Sequence, residues 1–359
     1  MKVAITIRDD MPFNQTLLVN GISQNAVFLY DVLKNCGHQP YFMHFNSVYQ
    51  PPTEVAGQPY DFLLYESVLT DCVNVDVLLE LGVALSQEQR LKLRDMFATK
   101  VVVMRLGNSY WMDLENILFK PNEVTDGPVV SGADQVWISP HFELTKQYHE
   151  ALNQCSAQIC PFLWDSTFIS QETINFPKGP LRDIYVMEPN INVVKNALIP
   201  LCVISEVFKK DPELFGKATI LNGLHFNDKP LFLRNIIANL PGTSSRLDKV
   251  FFSGRYSFNQ VFANPGILLG FHYQNGLNYL YNEALYSGVP LVHNSEFMQE
   301  IGYYYSEFDI KGAAVQVENA LGVGFNQKQI NENRAFLERF SPNNREVQSA
   351  YNSLLYSLF

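Results

Sequence analysis

Residues 275–295 read NGLNYLYNEALYSGVPLVHNS, which is a helical pattern followed by a short apolar strand. The apolar residues recur at helical spacing as far as Gly288, the residue type that most often follows a helix end. The stripe that would face a core is Leu277, Leu280, Tyr281 and Ala284. Glu283 falls outside this stripe, where a carboxylate can accept hydrogen bonds from the two hydroxyls of a vicinal diol, although an exposed helical Glu is the simpler interpretation.

The composition of the whole chain is that of a globular protein. Its 359 residues predict two domains, and its hydrophobic content of 47% leaves enough apolar surface for two cores. The net charge of −10 disfavours extended nucleic-acid binding, which needs a basic surface. No apolar run is long enough for a membrane span, and KVAITI near the N-terminus predicts a strand rather than a signal peptide. We therefore expect a cytoplasmic protein without a membrane span.

The cysteines give no sign of a metal site. They are Cys36, Cys72, Cys155, Cys160 and Cys202, and no spacing among them is typical of zinc binding. Cys155 and Cys160 are close enough in sequence to be bridged, but reduced thiols fit a cytoplasmic protein better.

Strands and helices alternate in the first half of the chain. The predicted strands are residues 2–7, 40–45, 61–67 and 100–107, with two more in GADQVWISP and AQICPFLW. Ser23 is predicted to cap the first long helix and Gly37 to end it. This alternation predicts a parallel sheet with right-handed crossovers.

The same pattern restarts after the Pro- and Gly-rich stretch FPKGPLRD, so we place a domain boundary within residues 178–183. The prediction is an α/β protein with two Rossmann-like, doubly wound parallel-sheet domains facing a cleft. Residues 1–182 form the first domain, residues 183–340 the second, and residues 341–359 a final helix. Ser341 is predicted to cap that helix, with Pro342 as its first residue.

Three loops could bind a ligand. Gly21, in Asn20-Gly21-Ile22-Ser23-Gln24-Asn25, precedes a predicted helix N-terminus, which suits a phosphate or a sugar hydroxyl, although an ordinary capped turn explains it as well. Asn192 is predicted to cap a helix that has Lys195 in its first turn, against the preference of the helix dipole. A bound anion would resolve that conflict, as would a solvated Lys. Arg255 directly follows the strand KVFFSG.

The segment KVFFSGRYSFNQVFANPGILLGFHYQNGLNYLYNEALYSGVPLVHNS resembles the nucleotide-sugar segment of GT-B glycosyltransferases of the glycogen-synthase-like group. MEPNINVVK and NGISQNAVFLYDVLKNCGH resemble two further parts of that family, so the resemblance extends over most of the chain. It is greatest for a bacterial and phage branch. It implies that the first domain is the acceptor side, that the second binds the donor, and that the final helix packs back on the first.

The resemblance also implies roles for single residues. Glu283 would bind the ribose hydroxyls, and Lys195, Arg255 and Gln274 would act at the donor diphosphate and its sugar. The other donor-binding positions implied are Gly21, Asn190, Asn192, Tyr256, Asn275, Gly276, Leu277 and Asn278. The sequence departs from the family at two places: an upstream acidic residue is replaced by Gln274 or Asn275, and an Arg by Asn190.

The expected activity is transfer of a sugar from a nucleotide-sugar, with UDP-sugars among the candidate donors, and without a metal or another cofactor. The acceptor is a glycan, a small molecule or a modified DNA base, and the sequence predicts no oligomeric state. A nucleotide-sugar epimerase or hydrolase on the same fold would need Glu66, Asp134 and His272 to converge. The sequence is also compatible with a non-catalytic nucleotide-binding protein and with a DNA-base glycosyltransferase of phage type.

Overall fold

The computed structural model describes residues 1–17, 21–71, 73–119, 129–169, 181–242, 249–323 and 326–359. The chain divides into two compact units, Met1–Phe168 with Glu338–Phe359, and Ile169–Leu337. The predicted boundary at residues 178–183 lies partly outside the described residues. Asn20 and Cys72 lie outside them. The four cysteines that are described are free thiols.

The first unit is built on a seven-stranded parallel sheet. Its strands are β1 (Lys2–Thr6), β2 (Gln39–His44), β3 (Phe62–Leu64), β4 (Val77–Glu80), β5 (Lys100–Arg105), β6 (Gln135–Ile138) and β7 (Ser156–Ile159). Their order in the sheet is β3-β2-β1-β4-β5-β6-β7. The central strands are continuous apolar runs, as expected where helices cover both faces of a parallel sheet.

The helices of this unit lie between the strands in the chain. They are α1 (Phe13–Thr16), α2 (Gly21–Asn35), α3 (Tyr65–Thr70), α4 (Gln87–Phe97), α5 (Ser109–Asp113) and α6 (Lys146–Asn153), with short helical turns at Leu114–Phe119, Pro140–Thr145, Ser166–Phe168 and Glu338–Phe340. Ser86 caps α4 through a capping box with Gln89. The sequence prediction was wrong about Ser23, which lies buried inside α2 and not at its cap. It also missed β4, and it extended β3 over residues that begin α3.

The second unit has a six-stranded parallel sheet of the same kind. Its strands are β8 (Ile184–Val186), β9 (Ala218–Ile220), β10 (Val250–Phe252), β11 (Ile267–Leu269), β12 (Leu291–His293) and β13 (Tyr303–Tyr304), in the order β10-β9-β8-β11-β12-β13. Its helices are α7 (Leu198–Lys210), α8 (Pro230–Phe232), α9 (Phe258–Val261), α10 (Tyr279–Ser287), α11 (Ile310–Val323) and α12 (Gln327–Leu337), with short helical turns at Leu224–Asp228, Leu233–Ile237 and Glu296–Met298.

The core of the second unit lies between this sheet and its helices. Leu201, Ile204 and Val207 of α7 pack with Ala313 and Val317 of α11 in one buried cluster. These residues recur at helical spacing, and all five are fully buried. The cluster fixes α7, and with it the loop that enters α7 from β8.

The last helix, α13 (Arg345–Tyr356), belongs to the first unit and contacts α2. The Tyr351 hydroxyl donates to the carbonyl of Pro161 at 2.8 Å, and the Cys36 thiol donates to the carbonyl of Gln348 at 3.3 Å. The prediction of its start was wrong: Asn344 is the N-cap, and its side chain accepts from two backbone N–H groups, so Ser341 and Pro342 precede the helix.

Strand order reverses once in each sheet. In the first unit the reversal lies between β1 and β4, and in the second between β8 and β11. In open α/β sheets the loops at such a point separate at the carboxyl ends of the strands and leave a crevice for a ligand. The loops after these four strands are therefore where a binding site is expected.

Candidate functional site

In the second unit the loop after β8 is fixed by Asn190, whose φ of 58° places it in the left-handed region. Its side-chain amide donates to the carbonyls of Glu188 and Leu221, both at 3.0 Å, and its Oδ1 accepts from the N–H of Ala197 at 2.7 Å. These bonds join the loop to the start of α7 and to the end of β9. Asn190 therefore shapes this loop, because its hydrogen-bonding groups are already engaged by the backbone.

Lys195 lies in this loop, three residues before α7 begins at Leu198. The prediction that it occupies the first turn of a helix capped by Asn192 was wrong. Asn192 Oδ1 instead accepts from the N–H groups of Val194 and Lys195, both at 3.2 Å, in a turn that precedes the helix. The side chain of Lys195 is half-buried, and among the described residues its ammonium group has no hydrogen-bond partner.

Glu188, two residues beyond β8, is a buried carboxylate that was not predicted as a site residue. Its Oε1 accepts from the N–H of Phe271 and from the hydroxyl of Tyr281, both at 3.2 Å. Burial raises the pKa of Glu188 to about 7, and the charge of Lys195 opposes this shift. Burial likewise lowers the pKa of Lys195, against the charge of Glu188. The charges of the two groups thus influence each other, although among the described residues they form no direct ion pair.

The turn after β11 is joined to the Lys195 loop, because Tyr273 donates its N–H to the carbonyl of Val194 at 2.8 Å. His272 begins this turn and is 4% exposed. Its Nδ1 accepts from the N–H of Asn275 at 3.0 Å, which leaves the ring proton of a neutral His272 on Nε2. Burial, together with the charges of Lys195 and His293, lowers the pKa of His272 to about 3, so the ring is neutral.

Gly276 is the close-packed residue of this turn. A Cβ at this position would meet the ring of Phe297 at 2.8 Å and Glu296 Oε2 at 3.1 Å. Its carbonyl accepts from the hydroxyl of Ser295 at 2.7 Å. Within the part of the chain that the structure describes, the N–H groups of Gly276 and Leu277 donate to nothing. Two adjacent free N–H groups in a turn that is hydrogen-bonded to the Lys195 loop are suited to an anion.

Helix α10 starts beside this turn, with Asn278 as its N-cap, and ends at Gly288, whose φ is 82°. Gly288 therefore ends the helix as predicted. Glu283 is half-buried on α10, and burial alone raises its pKa to about 7. Among the described residues it has neither a hydrogen bond nor an ion pair. A partly buried carboxylate without a protein partner is unfavourable for the fold, which is a common property of ligand-binding groups.

The remaining predicted site residues lie elsewhere. Arg255 and Tyr256 are exposed and follow β10, the edge strand two places from β8, so they lie on the same edge of the sheet at a distance of about 10 Å or more. Gln274 is an exposed residue of the turn after β11, with φ of 49°. Gly21 is the first described residue of α2 in the first unit, and the residues before it are not described.

Glu188, Tyr281 and Glu296 were not predicted as site residues from the sequence. Glu188 had a detectable signal, because an acidic residue directly after a buried strand lies at the carboxyl edge of the sheet. Tyr281 matched the core stripe, and its hydroxyl bond to Glu188 has no sequence signature. Glu296 follows β12, and its proximity to Gly276 depends on the pairing of β11 with β12.

The first unit has a cavity of about 1070 Å³ at its own reversal point. The residues around it include Arg8, Gly82, Arg105 and Ser131. A buried ion pair borders it, since Arg90 Nε and Nη2 donate to Glu80 at 2.5 and 2.8 Å. Burial lowers the pKa of Arg105, while the charge of Asp113 opposes the shift. The cavity is therefore polar on one side and large enough for a small molecule or a sugar.

Asp134, one of the three groups needed for an epimerase or hydrolase, lies directly before β6 and thus at the amino edge of its sheet. Its carboxylate accepts from the N–H of Val101 at 2.8 Å and pairs with Arg94 at 3.3 Å. It is therefore engaged at the sheet edge opposite to the cavity. Glu66 is exposed in the first turn of α3.

Within the described ranges, no group of three or more His, Cys, Asp or Glu residues is arranged to bind a metal ion. None of the helices found in those ranges combines the length and the apolar character of a membrane span.

One protein family matches residues 3–355, and it is described as "Protein of unknown function (DUF2827)". The search of curated proteins gave no match. Many solved structures are similar, and several of them align over nearly the whole chain. A trehalose-6-phosphate synthase has a TM-score of 0.61 at 10% identity, covering 99% of each chain. The lipopolysaccharide outer core galactosyltransferase WaaB has a TM-score of 0.55 at 11% identity, covering 100% of each.

Another is the DNA-modifying enzyme β-glucosyltransferase, with a TM-score of 0.52 at 12% identity, covering 99% of this chain and 100% of that one. The chain also aligns with two structures that contain GtfA, one of them the pneumococcal O-GlcNAc transferase, and spans 59% of the chain length of each. At these identities the similarity establishes the fold. The protein has the GT-B fold, and the fold class predicted from the sequence is confirmed.

Proposed function

The chain belongs to the DUF2827 family, and from its GT-B fold and the site in its second unit we propose that it is a glycosyltransferase with a nucleotide-sugar donor. The observation that supports this most strongly is Glu283, a half-buried carboxylate without a partner among the described residues. Glu283 lies on the helix that follows the turn of Gly276 and Leu277, and this turn is hydrogen-bonded to the loop of Lys195.

We propose that the diphosphate binds at Lys195 and at the turn after β11. Gly276 and Leu277 each offer a backbone N–H, and Lys195 adds a cation with no hydrogen-bond partner in the described chain. The hydrogen bond from Tyr273 to Val194 joins the two segments that present these groups. Preorganised donors of this kind stabilise the negative charge that develops on a leaving diphosphate, so the proposal includes no metal ion and no other cofactor. Arg255 would reach the same anion from the edge strand.

The ribose is assigned to Glu283, because a carboxylate accepts two hydroxyl hydrogen bonds in charge-assisted form. Asn278, which caps α10, fixes the start of the helix that presents it. Asn190 and Asn192 have positioning roles in this proposal, since their side chains hold the backbone around Lys195. Uridine diphosphoglucose is the substrate named for the structurally similar β-glucosyltransferase, so UDP and UDP-sugars are the first probes to use.

The acceptor is assigned to the cavity of the first unit. A glycan or another small molecule would fit its volume of about 1070 Å³. A modified DNA base remains the alternative acceptor, but the net charge of −10 opposes extended phosphate contacts. A nucleotide-sugar epimerase or hydrolase, or a protein that binds a nucleotide without turnover, would use the same site in the second unit, so a test of turnover is needed.

The proposal is tested by a thermal-shift screen of the whole chain against UDP, GDP, ADP and dTDP and their sugar derivatives. A ligand that binds only the folded state raises the melting temperature. We expect one nucleotide series to stabilise the protein, and release of that nucleotide from its sugar derivative when the right acceptor is added. If no nucleotide of the four series shifts the melting temperature, the proposal is wrong. Binding without turnover for every acceptor class would favour a non-catalytic nucleotide-binding protein.

A further inference from the structure

Glu296 begins the helical turn Glu296–Met298, which follows β12. Since β12 pairs with β11, this turn lies next to the turn that contains Gly276. Glu296 Oε2 would be 3.1 Å from a Cβ placed on Gly276, and it is 3.7 Å from His272 Nε2. The carboxylate therefore lies against the backbone of the proposed diphosphate site.

Among the described residues, the Glu296 carboxylate has no hydrogen bond and no ion pair at neutral pH. The distance of 3.7 Å to His272 Nε2 is too long for a hydrogen bond. The low pKa of His272 keeps its ring neutral, so the contact is not an ion pair at neutral pH either. The Glu296 side chain is 52% exposed, and the described residues give its oxygens no hydrogen bond. His272 Nε2, by contrast, is buried and, among the described residues, has no hydrogen-bond partner.

Contacts of the adjacent residues fix the position of Glu296. The two sequence neighbours of Glu296 both contact Gly276. The Ser295 hydroxyl donates to the carbonyl of Gly276 at 2.7 Å, and the ring of Phe297 lies against Gly276. The absence of a side chain at Gly276 lets both residues approach so closely. A carboxylate beside the diphosphate site binds hydroxyl groups and not phosphate, so it is suited to the neutral, hydroxyl-bearing sugar that is attached to the diphosphate.

We propose that Glu296 accepts hydrogen bonds from hydroxyl groups of the transferred sugar, and so determines which sugar the donor site binds. The group it would contact is a polyhydroxylated ring such as a hexose. This inference rests on the proposed function, because it requires a nucleotide-sugar at that turn.

The test compares Glu296→Gln and Glu296→Ala with wild-type protein by calorimetric titration of UDP and of UDP-glucose, UDP-galactose and UDP-N-acetylglucosamine. Glu300→Gln is the matched control, because Glu300 is an exposed carboxylate four residues further on. We expect Glu296→Ala to weaken the tightest UDP-sugar about tenfold, as for a lost hydrogen bond to a charged group. The affinity for UDP itself should stay within about twofold of wild type, since UDP has no transferred sugar. Glu300→Gln should change neither.

Equal loss of affinity for UDP and for the UDP-sugar would overturn this role, and so would unchanged affinity for both. In either case wild-type protein would still bind UDP, and the proposed function would stand without Glu296. If wild-type protein binds none of UDP, GDP, ADP and dTDP, both proposals fall together. Glu296 and Glu300 are exposed, and Glu296→Gln also keeps the shape of the side chain. Circular dichroism should therefore show that all three variants are folded.

Discussion

The Tyr281 hydroxyl donates to Glu188 Oε1 at 3.2 Å, which joins helix α10 to the loop after β8. Helix α10 presents Glu283, and the loop presents Lys195. One buried hydrogen bond therefore links the group proposed for the ribose to the group proposed for the diphosphate. The N–H of Phe271 donates to the same Glu188 oxygen at 3.2 Å. Glu188 therefore also joins the segment after β11 to the loop after β8.

Replacing Lys195 by Ala should weaken nucleotide binding about tenfold or more, because a charge-assisted contact to the diphosphate is lost. Arg255→Ala should have a smaller effect, since Arg255 is exposed and follows the edge strand β10. Titration calorimetry with the best nucleoside diphosphate from the screen measures both. Lys229→Ala, which removes an exposed cation of the same unit, is the control and should bind as wild type. Unchanged affinity in Lys195→Ala would remove Lys195 from the site.

Glu283→Gln should weaken nucleotide binding by about 1.5–3 kcal/mol, the range for hydrogen bonds to a charged group. A 2′,3′-dideoxynucleotide, which has no diol, should lose much less. Because burial disfavours the Glu283 carboxylate and no described residue compensates it, the same change should leave the melting temperature equal or higher. Equal losses for both nucleotides, or an unfolded variant, would show that Glu283 is structural.

The pH dependence of stability follows from Glu188 and Glu283, whose pKa values are raised from 4.5 to about 7. The folded protein holds these two protons more tightly than the unfolded chain. Their stabilising contribution is therefore fully present below about pH 4.5 and is lost as the pH rises through about 7. Wild-type protein should lose more free energy of unfolding between about pH 6 and about pH 8 than Glu283→Gln does. Urea unfolding at several pH values measures this, and parallel curves for the two proteins would contradict it.

Gly276→Ala should destabilise the protein by about 1–3 kcal/mol, as for an overpacked site, and weaken nucleotide binding. The added methyl would meet Phe297 at 2.8 Å and Glu296 at 3.1 Å. Gly322→Ala is the matched control, because a Cβ on Gly322 meets nothing within 4 Å in helix α11. That control should be neutral or more stable by up to about 1 kcal/mol. Thermal unfolding measures the stability and calorimetry the nucleotide affinity. A Gly276→Ala protein with the stability and the affinity of wild type would contradict this prediction, because the turn would then accommodate the methyl group.

The fold could be predicted from the sequence because its strongest signals are local. Continuous apolar strands alternating with amphipathic helices predicted two parallel sheets, and Gly288 marked the end of α10. Start residues were harder: Ser23 and Ser341 have the right chemistry for caps, but Ser23 lies inside α2 and Asn344 caps α13. Short strands such as β13, with two residues, have too little sequence for a pattern.

The sequence could place Lys195 and Gly276 in loops after β8 and β11, because this follows directly from the order of the strands. The site was not predictable where it depends on tertiary packing. The sequence shows Asn190 as a free polar residue, whereas the structure uses its whole amide on the backbone of Glu188, Leu221 and Ala197. The burial of Glu188 also requires the three-dimensional arrangement of β8, β11 and α10, which no local pattern records.

A crystal structure of the protein with the nucleoside diphosphate that stabilises it most would test the proposed donor site directly. We predict that the two ribose hydroxyls lie on the Glu283 carboxylate. We also predict that the diphosphate lies on the N–H groups of Gly276 and Leu277, within reach of Lys195. A nucleotide bound away from the turn after β11, or one whose ribose makes no contact with Glu283, would contradict this assignment.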